Sequence, residues 1–206
     1  MRLSEKTLEL SLCAQFAAQW NLRNAIWFGL TQTQEKKLGF DACSRISGRL
    51  LILQFKASNL MVQPQRFQVP RRRFTVPHDQ LVNLCNLATG LPRAVYYVFP
   101  DLGTTRELSR NQDLVQQTWF LDLSALPQSS SISVPRNRAR RHYAYTDPPL
   151  CELRSKPLHF DLLGEQEISK LLEAMHPNSL TFVKWCHEHE NEFAFKGFRA
   201  YGLLLP

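Results

Sequence analysis

Hydrophobic positions in residues 4–20 recur at helical spacing, with Leu8, Leu12, Cys13, Phe16 and Trp20 on one side at 100° per residue. Ser4 is placed to cap that helix. Glu5 and Glu9 project to the same apolar side, although surface acids normally lie opposite such a stripe. Residues 24–30 read as a short strand, and the polar residues 31–38 as a connection with some helical character. Residues 40–46 and 49–57 read as two strands around a two-residue turn at Ser47-Gly48. The second is apolar on both faces, as a strand of a covered sheet would be. Residues 59–77 are polar, basic and proline-bearing and read as irregular. Residues 78–89 place Leu81, Leu84, Cys85 and Ala88 at helical spacing, with Gly90 as the stop. AVYYVF (94–99), ended by Pro100, and WFLDL (119–123) read as further strands. Residues 127–149 read as a Ser-, Pro- and Arg-rich loop, and 164–176 and 181–190 as helices, with Ile168, Leu171, Leu172 and Met175 on one face of the former. Helix, three strands, helix, strand, strand is a mixed α/β pattern.

Three polar residues interrupt the apolar hairpin. With Ser47-Gly48 as the loop, Ile46 pairs with Arg49, and Asp41 stands directly opposite Gln54. Gln54 and Lys56 are two apart and share a face. A carboxylate, an amide and an amine therefore converge on one patch. Desolvating such groups is costly, so they are either exposed on one face or form a site. A carboxylate suits a hard cation such as Mg²⁺. A lysine beside that cation can orient water and stabilise charge on a phosphate, and a helix acid, Glu9 or Glu5, can complete the shell.

Composition narrows the choices. The chain has 206 residues, 44% of them hydrophobic, which suits one domain with a substantial core or one domain with an appended piece. The longest clear apolar run is 94–99, far short of a membrane span of about 20 residues. Acids in MRLSEKTLELS interrupt what a signal peptide would keep apolar, so a soluble cytoplasmic protein is expected. Five scattered cysteines with no CxxC pair suit reduced thiols. Cys186-His187-Glu188-His189 has no second ligand pair at zinc spacing. No Walker loop, Rossmann glycine fingerprint or GxSxG elbow occurs. Net charge is +7, and arginines cluster at Arg66, Arg71, Arg72 and Arg73 and again at Arg136, Arg138, Arg140 and Arg141. Such runs attract polyanions through counterion release, or they are simply solvated charge.

A helix acid, then Gly-Phe-Asp41 on one strand, a turn, and Leu-Gln54-Phe-Lys56-Ala on the next resembles the PD-(D/E)XK nuclease superfamily in its Q-x-K variant. The resemblance covers about residues 4–123 and implies an α/β, restriction-endonuclease-like core (αβββαβ, a mixed central sheet flanked by helices) with a C-terminal extension. It implies a Mg²⁺- or Mn²⁺-dependent endonuclease cleaving nucleic acid, with DNA the expected substrate. Asp41 matches the metal-binding aspartate and Lys56 the catalytic lysine. Gln54 stands where a second acid is usual. The helix acid maps to Glu9, with Glu5 as the alternative, and the Phe55 backbone carbonyl is a further ligand. Phe40 departs from the family's proline. The arginine runs would hold nucleic acid. By family analogy the chain would act as a homodimer or in a larger assembly serving phage defence, repair or mobile elements. The alternative is an inactive nucleic-acid-binding or assembly module on the same fold; a weaker third reading is a subunit whose basic surface meets an acidic protein partner. The corresponding division is a nuclease-like core (1–126), a basic loop (127–150) and a helical extension packed on the core (151–206).

Overall fold

The computed structural model describes residues 1–19, 27–46, 49–62, 71–110, 113–128, 131–154 and 157–173. The turn at 47–48, Arg66, the helix read at 181–190 and the Cys186–His189 stretch lie outside them. Helix α1 (Glu5–Gln19) starts where the Ser4 hydroxyl accepts the Thr7 N–H at 3.0 Å. It buries Leu8, Leu12, Cys13 and Phe16, the spacing of one helical face, and Glu9 lies among them. Strand β1 keeps only Phe28–Gly29 of the strand expected at 24–30, of which 24–26 lie outside the described residues. Helix α2 (Gln32–Leu38) is closed at its start by a reciprocal Thr31–Gln34 capping box. It stops at Gly39, whose φ of 86° is open to glycine.

Strands β2 (Ala42–Ile46) and β3 (Arg49–Phe55) form the expected hairpin, in the expected register from Ile46↔Arg49 to Ala42↔Leu53. β3 is buried on both faces. Two strands then follow, β4 (Asn59–Val62) and β5 (Arg71–Pro77), where an irregular segment was expected. Alternation survives in β5 at Phe74 and Val76, both buried, but three arginines hide its first half. Helix α3 (His78–Gly90) buries Leu81, Leu84, Cys85 and Ala88, as read from spacing, and runs through Gly90. After it come β6 (Val95–Pro100), fully buried, α4 (Thr105–Arg110) and β7 (Thr118–Asp122). Leu123–Ala125 is a 3₁₀ turn capped by Asp122.

The loop expected at 127–149 contains β8 (Arg141–Asp147), and the helical reading of the segment after it gives way to β9 (Leu150–Arg154) and β10 (Pro157–Asp161). Helix α5 (Glu165–Glu173) matches the described part of the helix expected at 164–176.

The strands make two sheets. The first has the order β1-β2-β3-β6-β7 and is mixed: β3 and β6 are parallel and the other pairs antiparallel. The second has the order β10-β9-β8-β5-β4 and is antiparallel throughout. The chain is thus α/β with a mixed sheet flanked by helices. α1 covers one face of that sheet, packing Leu8, Leu12 and Phe16 on Leu51, Leu53 and Phe55. α3 covers the other, in a core that continues into the second sheet through Phe74, Val76, Ala144 and Leu153. Among the described residues no helix is long and apolar enough to cross a membrane.

Candidate metal centre at the ends of β2 and β3

The hairpin register carries its polar residues to one place. Asp41, just before β2, donates its backbone N–H to the Leu53 carbonyl at 3.1 Å, which continues the ladder by one residue. Its side chain then meets Gln54. The Gln54 amide nitrogen donates to Asp41 Oδ2 at 2.6 Å and to the Phe55 carbonyl at 3.0 Å. The Phe55 N–H donates to the same Asp41 oxygen at 2.7 Å. Gln54 is 1% exposed and Lys56 5%, so neither sits on an open sheet face.

Burial pushes the Asp41 carboxyl up to about 7, against the Phe55 N–H and the Lys56 charge that pull it down, and with the Glu5 charge adding to the rise. Among the described residues Gln54 Oε1 is buried with no hydrogen-bond partner, and so is the hydroxyl of Tyr97. Tyr97 is the β6 residue in register with Gln54. Two buried polar atoms without partners beside a carboxyl near neutrality make a place where a polar guest lowers the free energy.

Helix α1 contributes its first two turns. Glu5 Oε1 accepts the Ala57 N–H at 3.2 Å and lies 3.8 Å from the Lys56 ammonium. Among the described residues no ion pair joins Lys56 to Asp41. Glu9, one turn further on, is 6% exposed, which agrees with its place on the apolar stripe. Both its oxygens are held by Lys6, at 2.7 and 2.9 Å. Glu5 is therefore the helix acid beside Lys56, while Glu9 is committed to a neighbour on its own helix. Lys6 is the residue the sequence reading missed, and its signal was the i,i+3 spacing to an acid on the wrong side of the helix.

Among the described residues no three Asp, Glu, His or Cys side chains stand close enough to share one ion. The donor set still fits a Mg²⁺-type ion, which is usually held by one or two carboxylates and keeps several waters. Asp41 and the Phe55 carbonyl are hard oxygen donors, and the orphaned Gln54 Oε1 is a third oxygen with capacity to spare.

The two arginine runs differ. In β5, Arg71 pairs with Asp147 and Glu152, and Arg73 lies 5.1 Å from the Tyr143 ring. Arg72 binds Asp101, Glu107 and Ser58 with its side chain 10% exposed. These groups knit the second sheet internally and to the end of the first. Arg136, Arg138, Arg140 and Arg141 are exposed, on a loop held by Asn137, whose side chain binds both the N–H and the carbonyl of Arg141. The Arg140 carbonyl accepts the His78 N–H at 2.9 Å, and its side chain pairs with Asp79, so the loop sits at the start of α3. α3 leads by a short connection into β6, which runs parallel to β3, so it starts at the end where β3 finishes. A Cβ on Gly39, two residues before Asp41, would lie 3.5 Å from the Gln80 carbonyl of that same first turn. The exposed arginines and the polar cluster thus share one end of the first sheet.

The chain matches no family model, no curated protein and no solved structure.

Proposed function

We propose that the chain is a metal-dependent nuclease that hydrolyses phosphodiester bonds in nucleic acid, DNA first, with its centre at the ends of β2 and β3. The observation that carries this reading is the meeting of Asp41, Gln54, Lys56 and the Phe55 carbonyl at one covered strand end. Buried carboxylate, amide and amine groups cost stability in a core, and such clusters are concentrated at functional sites. The chain order α1, β1 to β3, α3, β6 supports the likeness to the αβββαβ core of PD-(D/E)XK nucleases in their Q-x-K form, with α2 interposed between β1 and β2, and β4 and β5 before α3.

A divalent cation, Mg²⁺ or Mn²⁺, when bound, supplies charge to the phosphate and acidifies nearby water. Asp41 and the Phe55 carbonyl would hold it. Lys56, kept in place by burial and by Glu5, is set to donate to a phosphate oxygen and to steer the attacking water. Gln54 Oε1 would accept a hydrogen bond from that water, orienting its lone pair toward phosphorus. Attack of the water oxygen would form the new P–O bond as the bond to the leaving sugar oxygen breaks; the proton lost by the water passes to solvent, and the leaving oxygen takes one up from solvent. Arg136, Arg138, Arg140 and Arg141 would bind the backbone of the nucleic acid without reading its sequence.

A second reading, a nucleic-acid-binding or assembly module that no longer cuts, is favoured by one observation: Lys6 takes both oxygens of Glu9. The test is cleavage of single- and double-stranded DNA and of RNA with Mg²⁺ or Mn²⁺, comparing wild type with Asp41→Ala and Lys56→Ala. Metal-dependent cutting lost in both variants supports the nuclease. Salt-sensitive binding without cutting favours the module. Cutting that survives both substitutions would remove the centre from these residues.

A further inference from the structure

Lys6 and Glu9 lie against Gly29 of β1, whose register partner Ala42 follows Asp41, and the residue after Gly29, Leu30, donates its N–H to the Asp41 carbonyl at 3.3 Å. The contacts of the Lys6 ammonium are with Glu9, at 2.7 and 2.9 Å. The two partners are buried unequally, the Glu9 side chain being 8% exposed and that of Lys6 56%. Gly29 of β1 closes over them, since a Cβ there would stand 3.7 Å from both Glu9 Oε1 and Lys6 Nζ. A buried carboxylate needs a counterion, and this one is served by a charge on a flexible four-carbon stem reaching in from solvent. Lys56, by contrast, is itself buried and cannot withdraw.

We infer that Lys6 is a tethered cation that competes with the metal: it neutralises Glu9 in the metal-free protein and must swing out before Glu9 can join Asp41 around a divalent ion. The inference rests on the metal centre described under the proposed function. A dication held by Asp41 while both Lys6 and Lys56 stayed would crowd four positive charges among few carboxylates. Departure of Lys6 restores the balance, and its exposed stem makes departure cheap. Lys6 thereby acts as a positioning residue. It sets how much metal is needed before Glu9 takes part, and it keeps Glu9 neutralised until then.

The test is calorimetric titration of the full chain with MnCl₂ in the absence of nucleic acid. It compares wild type, Lys6→Met, Lys6→Gln, Lys6→Arg, Lys6→Met with Glu9→Gln, and Asp41→Asn. Loss of the competing charge in Lys6→Met and Lys6→Gln should tighten Mn²⁺ binding about tenfold, a change of about 1.4 kcal/mol. Lys6→Arg should bind like wild type, the double variant should lose the gain, and Asp41→Asn should not bind. The metal-free Lys6→Met protein should also melt at a lower temperature than wild type and recover with Mn²⁺. Binding that depends on Asp41 but is unchanged or weaker in both neutral Lys6 variants would overturn the role of Lys6 and leave the metal centre standing. A gain that persists in the double variant would overturn the part given to Glu9. No Asp41-dependent binding in any variant would overturn the centre itself.

Discussion

Replacing Asp41 with Asn separates what the carboxylate costs the fold from what it does for chemistry. Burial moves this group from 3.8 to about 7. A shift of about three units is worth about 4 kcal/mol at 1.36 kcal/mol per unit. Because the folded state holds the proton more tightly than the unfolded chain, this contribution is complete below the unfolded value and is lost as pH rises through about 7. Between pH 5 and pH 8 the wild type therefore gives up about 2–3 kcal/mol through this one side chain. Asn keeps an oxygen to accept the Phe55 N–H and the Gln54 amide, and it carries no charge to desolvate. Urea unfolding of both proteins at intervals from pH 5 to pH 8, in a chelator, reads the difference as a shift in midpoint. The expected result is a gap that widens with pH in favour of Asn. Mg²⁺ added at pH 8 should narrow it by stabilising the wild type alone. A gap that stays constant across this range would refute the claim that Asp41 is a desolvated carboxyl.

Four further outcomes follow from the geometry. Arg72→Met, which strips Asp101, Glu107 and Ser58 of their shared partner, should cost about 2–3 kcal/mol in chemical denaturation, the scale of hydrogen bonds to a charged group. Gly103→Ala should cost about 1–3 kcal/mol by the same measure, since its Cβ would meet Arg72 Nη1 and Ser58 Oγ at 2.9 Å. Burial and the neighbouring His78 lower the His142 imidazole to about 4, so the stability it contributes is present above its usual 6.5 and lost as pH falls toward 4; melting curves over that window should flatten in His142→Gln. Replacing Arg136, Arg138 and Arg141 together with Ala should lower the slope of log binding constant against log salt for duplex DNA by about 3, at about 0.9 per lost phosphate contact.

The hairpin and the polar cluster at its end were legible in the sequence because their signals are local. A short turn fixes the register, and with it the meeting of Asp41 and Gln54, which the structure reproduces at 2.6 Å. The buried face of α3 was equally plain, its apolar spacing being undiluted. The second sheet was not legible. In β5 the Arg71 and Arg72 guanidinium groups, which look like surface charge, are consumed by Asp147, Glu152, Asp101 and Glu107, residues distant in the chain. β10 opens on a proline, and β9 alternates too briefly to stand out from a loop. The partners of Arg71 and Arg72 were not foreseen in the sequence for the same reason. The choice between Glu5 and Glu9 could not be made from periodicity, because both lie on the inner side of α1. What separates them is the reach of Lys6 to one and of Lys56 to the other.

The measurement that bears most directly on the centre is anomalous scattering from crystals soaked in MnCl₂. The expected result is one strong Mn²⁺ peak within coordination distance, about 2.0–2.3 Å, of an Asp41 oxygen and the Phe55 carbonyl, with Lys56 beside it. Density at saturating Mn²⁺ that leaves Asp41 bonded only to Gln54 and Phe55, with the ion elsewhere or nowhere, would contradict the metal centre and the nuclease built on it.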